Sequence, residues 1–169
     1  MQLLIASAAV KITFGLRDYK LGLFHTIVVY PKEFYSRVSH LHLKGETNAS
    51  GVIVFSWEDL KFGVSIPDDS INLGYHEFAH ALFLEHLMNP YNNSFKDHYR
   101  EWLVFIKNNS KLREVKRKHI FRDYAATNAM EFFAVALENF FESPDNFKKE
   151  LPRLYLLMSE MLNQNPAKV

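Results

Sequence analysis

The segment Asn72–Met88 (NLGYHEFAHALFLEHLM) has the most regular helical pattern in the 169-residue chain. Its apolar side chains recur at helical spacing, and the following Asn89-Pro90 predicts that the helix ends there. His76 and His80 are four residues apart, so their imidazoles lie about 40° apart around the helix and about 6 Å apart along it. The two side chains are therefore placed to supply two corners of a tetrahedral metal site.

Glu77 completes an H-E-x-x-H pattern with these two histidines. Its position beside the first histidine brings a carboxylate near a metal-activated water without making it a ligand, which suits a general base. The same five-residue pattern also occurs by chance in amphipathic helices, with the histidines bonded to other side chains. A catalytic site of this kind needs a third protein ligand elsewhere in the chain.

His86 occupies the position of the third histidine in H-E-x-x-H-x-x-G-x-x-H metallopeptidases, but the sequence argues against that role. Those enzymes have a glycine that lets the chain leave the helix, where this chain has Phe83. On a continuous helix, His86 is about 240° around from His80 and faces away from the metal. We predict a surface or interface histidine.

Glu131 is the alternative third ligand, 51 positions after His80 (131 − 80). It opens a helical segment so apolar that its carboxylate needs a strong cation, such as zinc, as a partner. A structural alternative is a capping box, with Asn128 as N-cap. Glu138 lies within about 20° of the same helix face. It is predicted either to accept a hydrogen bond from a ligand histidine or to be an ordinary solvent-facing acid.

Strand-like segments precede most of the helical ones, which predicts an α+β fold with one domain over residues 1–169. The expected fold is a small mixed sheet followed by a mostly helical half that carries the metal site. Residues 25–30 and 51–57 are the predicted strands, and 45–51 is predicted as the turn-rich centre of the segment between them. The Val52–Ser56 strand is equally compatible with an internal or an edge position. The other predicted helices are a buried one over residues 2–16 and those near 95–106, 110–119, 128–141 and 143–162.

Composition excludes several classes of protein. The chain is 48% hydrophobic and 23% charged, which excludes wholesale disorder. It has no cysteine, so any transition metal must be held by His, Asp or Glu. Twenty basic and nineteen acidic residues give a net charge of +1 and no general reason to expect nucleic acid. The basic run 111–119 is interpreted as a solvated helix face.

No apolar run approaches the roughly 18 residues needed to span a bilayer. The apolar N-terminal segment 2–10 lacks the preceding basic residues of a secretory signal. We therefore expect no membrane association and a cytoplasmic location.

Two sequence blocks carry a resemblance to a known family. His76–His80 (HEFAH), followed by Tyr124–Val135 (YAATNAMEFFAV), resembles the Mlc titration factor A family of zinc peptidases. That family is a bacterial gluzincin group whose catalytic core is similar to that of anthrax lethal factor. Weaker similarity at 25–31, 54–57 and 142–144 extends the resemblance over most of the chain.

The resemblance implies a zincin-like core with one catalytic Zn²⁺ held by His76, His80 and Glu131. It also implies Glu77 as the general base and Tyr124 as a hydrogen-bond donor to the oxyanion of the tetrahedral intermediate. The implied substrate is a peptide or protein, with aminopeptidase-like cleavage of short peptides.

A regulatory role is the alternative that the same resemblance implies. One member of the family sequesters a transcriptional repressor, so the chain is also considered as a binding protein with a structural zinc. The sequence departs from the family pattern at Phe83, where an acidic residue is frequent, and at Ala129, where proline is usual. Relatives also usually carry a further N-terminal segment.

Overall fold

The computed structural model of the protein describes residues 1–88, 93–108, 121 and 128–167. Three sequence predictions lie outside these residues. They are the helix end at Asn89-Pro90, the helix at 110–119 with its basic run, and Tyr124.

The described chain is a mixed α+β structure, with a small sheet followed by a mostly helical half. The strands are β1 (Thr26–Tyr30), β2 (Phe34–Tyr35), β3 (His42–Leu43), β4 (Gly45–Asn48) and β5 (Val52–Ser56). The helices are α1 (Gln2–Thr13), α2 (Trp57–Ser65), α3 (Leu73–Met88), α4 (Asn93–Lys107), α5 (Ala129–Glu142), α6 (Pro144–Glu150) and α7 (Pro152–Leu162). This organisation confirms the predicted α+β class.

The three-stranded sheet is mixed and has the strand order β1-β5-β4. β5 pairs in parallel with β1, from Thr26 with Val52 to Tyr30 with Ser56, and antiparallel with β4. The Val52–Ser56 strand is therefore internal, one of the two alternatives that its sequence left open. β2 and β3 form a separate antiparallel pair.

The prediction of a turn-rich centre at residues 45–51 is wrong for its first four residues. Gly45–Asn48 forms β4, and only the last three residues turn back into β5. Gly51 has φ +86°, a backbone conformation that glycine adopts without steric cost. Such a glycine is typical of a three-residue hairpin loop, and it sets the β4–β5 register.

α3 is the central element, because it packs against α1 and α5 as well as against β4 and β5. Phe78 on α3 lies 5.7 Å, centroid to centroid, from Phe55 on β5. Ala79, Ala81 and Leu82 are fully buried. Because α3 is covered on several sides, polar groups on it need partners within the protein.

α5 supplies much of the aromatic core. Asn128 caps it by accepting hydrogen bonds from the backbone N–H groups of Met130 and Glu131, both at 2.9 Å. From Phe132 to Phe140 every side chain on this helix is buried. Trp102 of α4 is fully buried against Phe132. α5 also packs along α3, and these contacts hold the two helices side by side.

Two further expectations need correction, and one helix was not expected. The predicted helix over 143–162 is two helices, because Pro152 has no N–H to continue the ladder and Leu151 leaves helical geometry at φ −133° and ψ 59°. α1 ends at Thr13 and is only half-buried: Leu3 and Val10 are 88% and 59% exposed. α2, capped by the Ser56 hydroxyl, was not predicted.

Among the described residues, none of the helices is both long and apolar enough to cross a bilayer.

Candidate metal centre

His76 and His80 lie on one face of α3, as their spacing predicts, and both face Glu131 on α5. Their rings are 4.6 Å apart between centroids and nearly perpendicular, at 86°. Nε2 of His76 is 3.3 Å from one carboxylate oxygen of Glu131, and Nε2 of His80 is 3.3 Å from the other. The two helices thus bring Glu131 against two histidines that lie more than fifty positions earlier in the sequence.

The Asn128 side chain caps the helix that carries Glu131, as the capping-box alternative required. The carboxylate of Glu131 nevertheless lies against the two imidazoles. The capping-box alternative is therefore right about Asn128 as the N-cap, but it does not account for the position of the Glu131 carboxylate.

Glu138 is almost fully buried, at 1% exposure, so the solvent-facing alternative is excluded. Its Oε1 lies 2.6 Å from Nδ1 of His76. An ionised carboxylate can only accept, so Nδ1 of His76 carries the proton in this pair. When the ring is neutral, its Nε2 presents a lone pair toward Glu131 and His80, which is the tautomer that a metal ligand requires.

The charges in this cluster reinforce one another. Burial lowers the pKa of His76, but the adjacent Glu131 and Glu138 carboxylates outweigh burial and raise it to about 10. Burial raises the pKa of Glu131, but the His76 and His80 imidazoles outweigh it and hold that pKa at about 2. The cluster therefore stabilises the ionised form of the Glu131 carboxylate next to a positively charged group.

The residues of this cluster fit a divalent cation. Ligand atoms of His76, His80 and Glu131 all lie within 4.8 Å of one another, the one such group among the described residues. Oε2 of Glu131 is buried, and Nε2 of His76 lies 3.3 Å from it without the geometry of a hydrogen bond. Two neutral imidazole nitrogens and one carboxylate oxygen form a donor set typical of catalytic zinc sites.

Glu77 is buried next to this cluster, at 4% exposure, and burial raises its pKa. The nearby His80 and His76 imidazoles and a hydrogen bond from Thr47 oppose that increase. The hydroxyl of Thr47, on β4, is 2.8 Å from Oε2 of Glu77. Thr47 was not predicted as a functional residue, because its segment was interpreted as a turn.

His86 does not join the metal cluster, which agrees with the prediction from helix geometry. The prediction of a surface or interface histidine is wrong, because the side chain is buried within the chain itself. His86 is 3% exposed and its Nδ1 lies 2.8 Å from the carbonyl oxygen of Leu82, one turn earlier. α3 is covered on this side as well, so the side facing away from the metal is also interior.

A third carboxylate, that of Glu142, lies on the same side of α5 and was not singled out from the sequence. Glu131, Glu138 and Glu142 are spaced by seven and four residues, so they form one stripe along the helix. Oε1 of Glu142 accepts a hydrogen bond of 2.8 Å from the side chain of Asn72. Asn72 in turn accepts from the backbone N–H of Tyr75, 3.1 Å away. The pair joins the start of α3 to the end of α5.

Burial is the largest influence on Glu142. Together with the negative charges of Asp69 and Glu138 it outweighs the hydrogen bond from Asn72 and raises the pKa to about 7, from a normal value of 4.5. The folded protein therefore holds this proton more tightly than the unfolded chain does. The resulting stabilisation is complete below pH 4.5 and is lost as the pH rises to about 7.

Glu142→Gln should flatten this part of the pH dependence, because the amide oxygen can still accept from Asn72 but cannot ionise. Between pH 5 and pH 8 the free energy of unfolding of the wild type should fall by about 1 kcal/mol more than that of the variant, after allowance for solvent screening of a half-buried group. Urea unfolding at several pH values, with a chelator present throughout, measures this difference. The exposed Glu160→Gln should follow the wild type, and parallel wild-type and Glu142→Gln profiles would contradict the assignment.

Comparison with known proteins places these residues in a family context. The sequence profile described as "Glucose-regulated metallo-peptidase M90" matches residues 1–162, which include every described residue of the cluster.

Two curated relatives are similar over nearly the whole chain. An uncharacterized protein of Synechocystis sp. is 26% identical over 94% of this chain and 64% of its own length. Mlc titration factor A of Salmonella arizonae is 24% identical over 96% of this chain and 74% of its own length. The chain thus spans a little under two thirds of the Synechocystis protein.

Proposed function

Because this chain belongs to the glucose-regulated metallo-peptidase family M90, we propose that it is a zinc-dependent peptidase of the gluzincin type, with residues 1–169 forming one zincin-like domain. The observation that carries the proposal is the convergence of His76, His80 and Glu131, with ligand atoms within 4.8 Å of one another. The buried Glu77 beside them supports a catalytic rather than a purely structural metal, since a structural zinc site needs no base.

In this proposal His76, His80 and Glu131 hold one zinc ion. When bound, zinc supplies Lewis-acid polarisation of the scissile carbonyl and makes water more acidic. Glu77 takes the proton from the attacking water and later gives it to the leaving amine. Glu138 orients the His76 ring through Nδ1. Tyr124, which lies outside the described residues, is proposed as the hydrogen-bond donor to the developing oxyanion.

Hydrolysis of a mixed fluorogenic peptide library tests the proposal directly. Zinc-loaded protein should cleave library members, chelation should abolish the cleavage, and added zinc should restore it. Cleavage that persists in a chelator would show that the metal is not required. Absence of cleavage by protein with one zinc bound would count against the peptidase.

A partner-binding role is the second candidate, favoured by the name of the Salmonella relative, which refers to titration of Mlc. In this alternative the chain sequesters a protein such as a transcriptional repressor, and zinc is structural. Specific capture of such a partner that survives zinc removal, together with no peptide cleavage, would favour it over the peptidase.

A further inference from the structure

The edge strand β4 contacts Glu77 through two of its four residues. Gly45 and Thr47 are two positions apart and therefore lie on the same face of the strand, toward α3. We infer that both are positioning residues for the general base: Thr47 donates a hydrogen bond to its carboxylate, and Gly45 leaves the space that the carboxylate fills. The inference rests on the proposed catalytic role of Glu77.

The hydroxyl of Thr47 has two acceptors on the same residue. It lies 2.8 Å from Oε2 of Glu77 and 3.1 Å from the backbone oxygen of Glu77. A hydroxyl has one proton to donate, and the bond to an ionised carboxylate is the stronger of the two. Since Glu77 is nearly excluded from solvent, this bond replaces one that water would otherwise make.

Gly45 is important because it has no side chain. A Cβ at this position would lie 2.6 Å from Cδ and 2.7 Å from Cγ of Glu77, well inside van der Waals contact. An alanine therefore requires the carboxylate or the strand to move. Its φ is not in the left-handed region, so close approach, rather than backbone conformation, is the reason for glycine here.

The strand cannot move away freely, because its partner β5 is packed on α3. Gly45 and Thr47 pair with Phe55 and Ile53 of β5. Phe55 contacts Phe78, the residue that follows the base on α3. β4 and Glu77 are therefore held by the same packed unit, and a change at either position is transmitted to the carboxylate.

Substitutions at Thr47 test the hydrogen bond by its chemistry. Thr47→Val keeps the shape of the side chain and removes the hydroxyl. The value of kcat should fall by about 10- to 100-fold, because misplacing a catalytic group by about 1 Å lowers the rate by about that factor. The value of KM should stay within about twofold. Thr47→Ser should retain most of the activity. The matched control is Thr26→Val at the exposed start of β1, which should behave as the wild type. Zinc affinity should stay unchanged in all three variants.

A Thr47→Val variant at wild-type kcat, or a Thr47→Ser variant as slow as Thr47→Val, would overturn the inference.

A measurement independent of catalysis uses Gly45 in metal-free protein. Gly45→Ala should lower the urea midpoint of unfolding in the wild type, but much less in a Glu77→Ala background, where the colliding atoms are gone. Equal midpoint shifts in the two backgrounds would overturn the inference even if peptide cleavage is observed. If the midpoint shift is smaller in the Glu77→Ala background but the protein cleaves no peptide, the contact between Gly45 and Glu77 stands and the proposed peptidase function fails.

Discussion

Glu77→Gln should lower peptide hydrolysis by about 10³-fold while leaving zinc binding intact. General acid–base catalysis contributes about 10²- to 10⁴-fold, and this residue is proposed to move the proton in both directions. The amide is nearly isosteric and can still accept the hydrogen bond from Thr47, so the fold and the β4 contact should persist. Because Glu77 is not one of the three clustered ligand residues, its loss should affect kcat far more than metal content.

The measurement is steady-state cleavage of the best library peptide, with zinc content determined on the same samples. Glu160→Gln, the same chemical change at an exposed position on α7, controls for the loss of one negative charge. A Glu77→Gln variant with normal turnover would exclude the proposed mechanism. A variant that loses zinc along with activity would instead indicate that Glu77 supports the metal site.

The sequence predicted the α3 face of the site because helical spacing is a local property. His76 and His80 need only a continuous helix to face the same way. The position of Glu131 opposite them depends on α5 packing against α3, a contact between segments about fifty residues apart. The apolar residues around Glu131 were the one local signal that its carboxylate needs a cationic partner.

The sequence could not predict β4, and with it missed Thr47. Gly45–Asn48 (GETN) has low intrinsic strand propensity and favours turns. It becomes a strand because β5 offers an unpaired edge beside α3, so tertiary pairing overrides local preference. Glu142 was missed for a related reason: its role depends on Asn72, which lies just before α3 and 70 residues earlier in the chain (142 − 72).

Glu131→Gln should lower zinc affinity by about 100-fold or more, because it replaces the only carboxylate of the described cluster with a neutral amide. Glu138→Gln should have a smaller effect, about tenfold, since it changes the orientation and basicity of His76 but removes no ligand. Competition with a chromophoric chelator measures both dissociation constants. The order of the two effects follows from the distances, because Glu131 faces both imidazoles, whereas Glu138 contacts His76 at Nδ1 and not at the Nε2 that faces the cluster.

The same loss of affinity should appear as a loss of zinc-dependent stability. At a zinc concentration 1,000 times its dissociation constant, the wild type should gain about 4 kcal/mol, whereas a variant with 100-fold weaker binding should gain only about 1.4 kcal/mol. Each protein is compared with its own metal-free form in urea unfolding, so that changes in the intrinsic stability of the variant cancel. If zinc stabilises Glu131→Gln as much as the wild type, Glu131 is not a ligand, and its position between the imidazoles is explained by ion pairing alone.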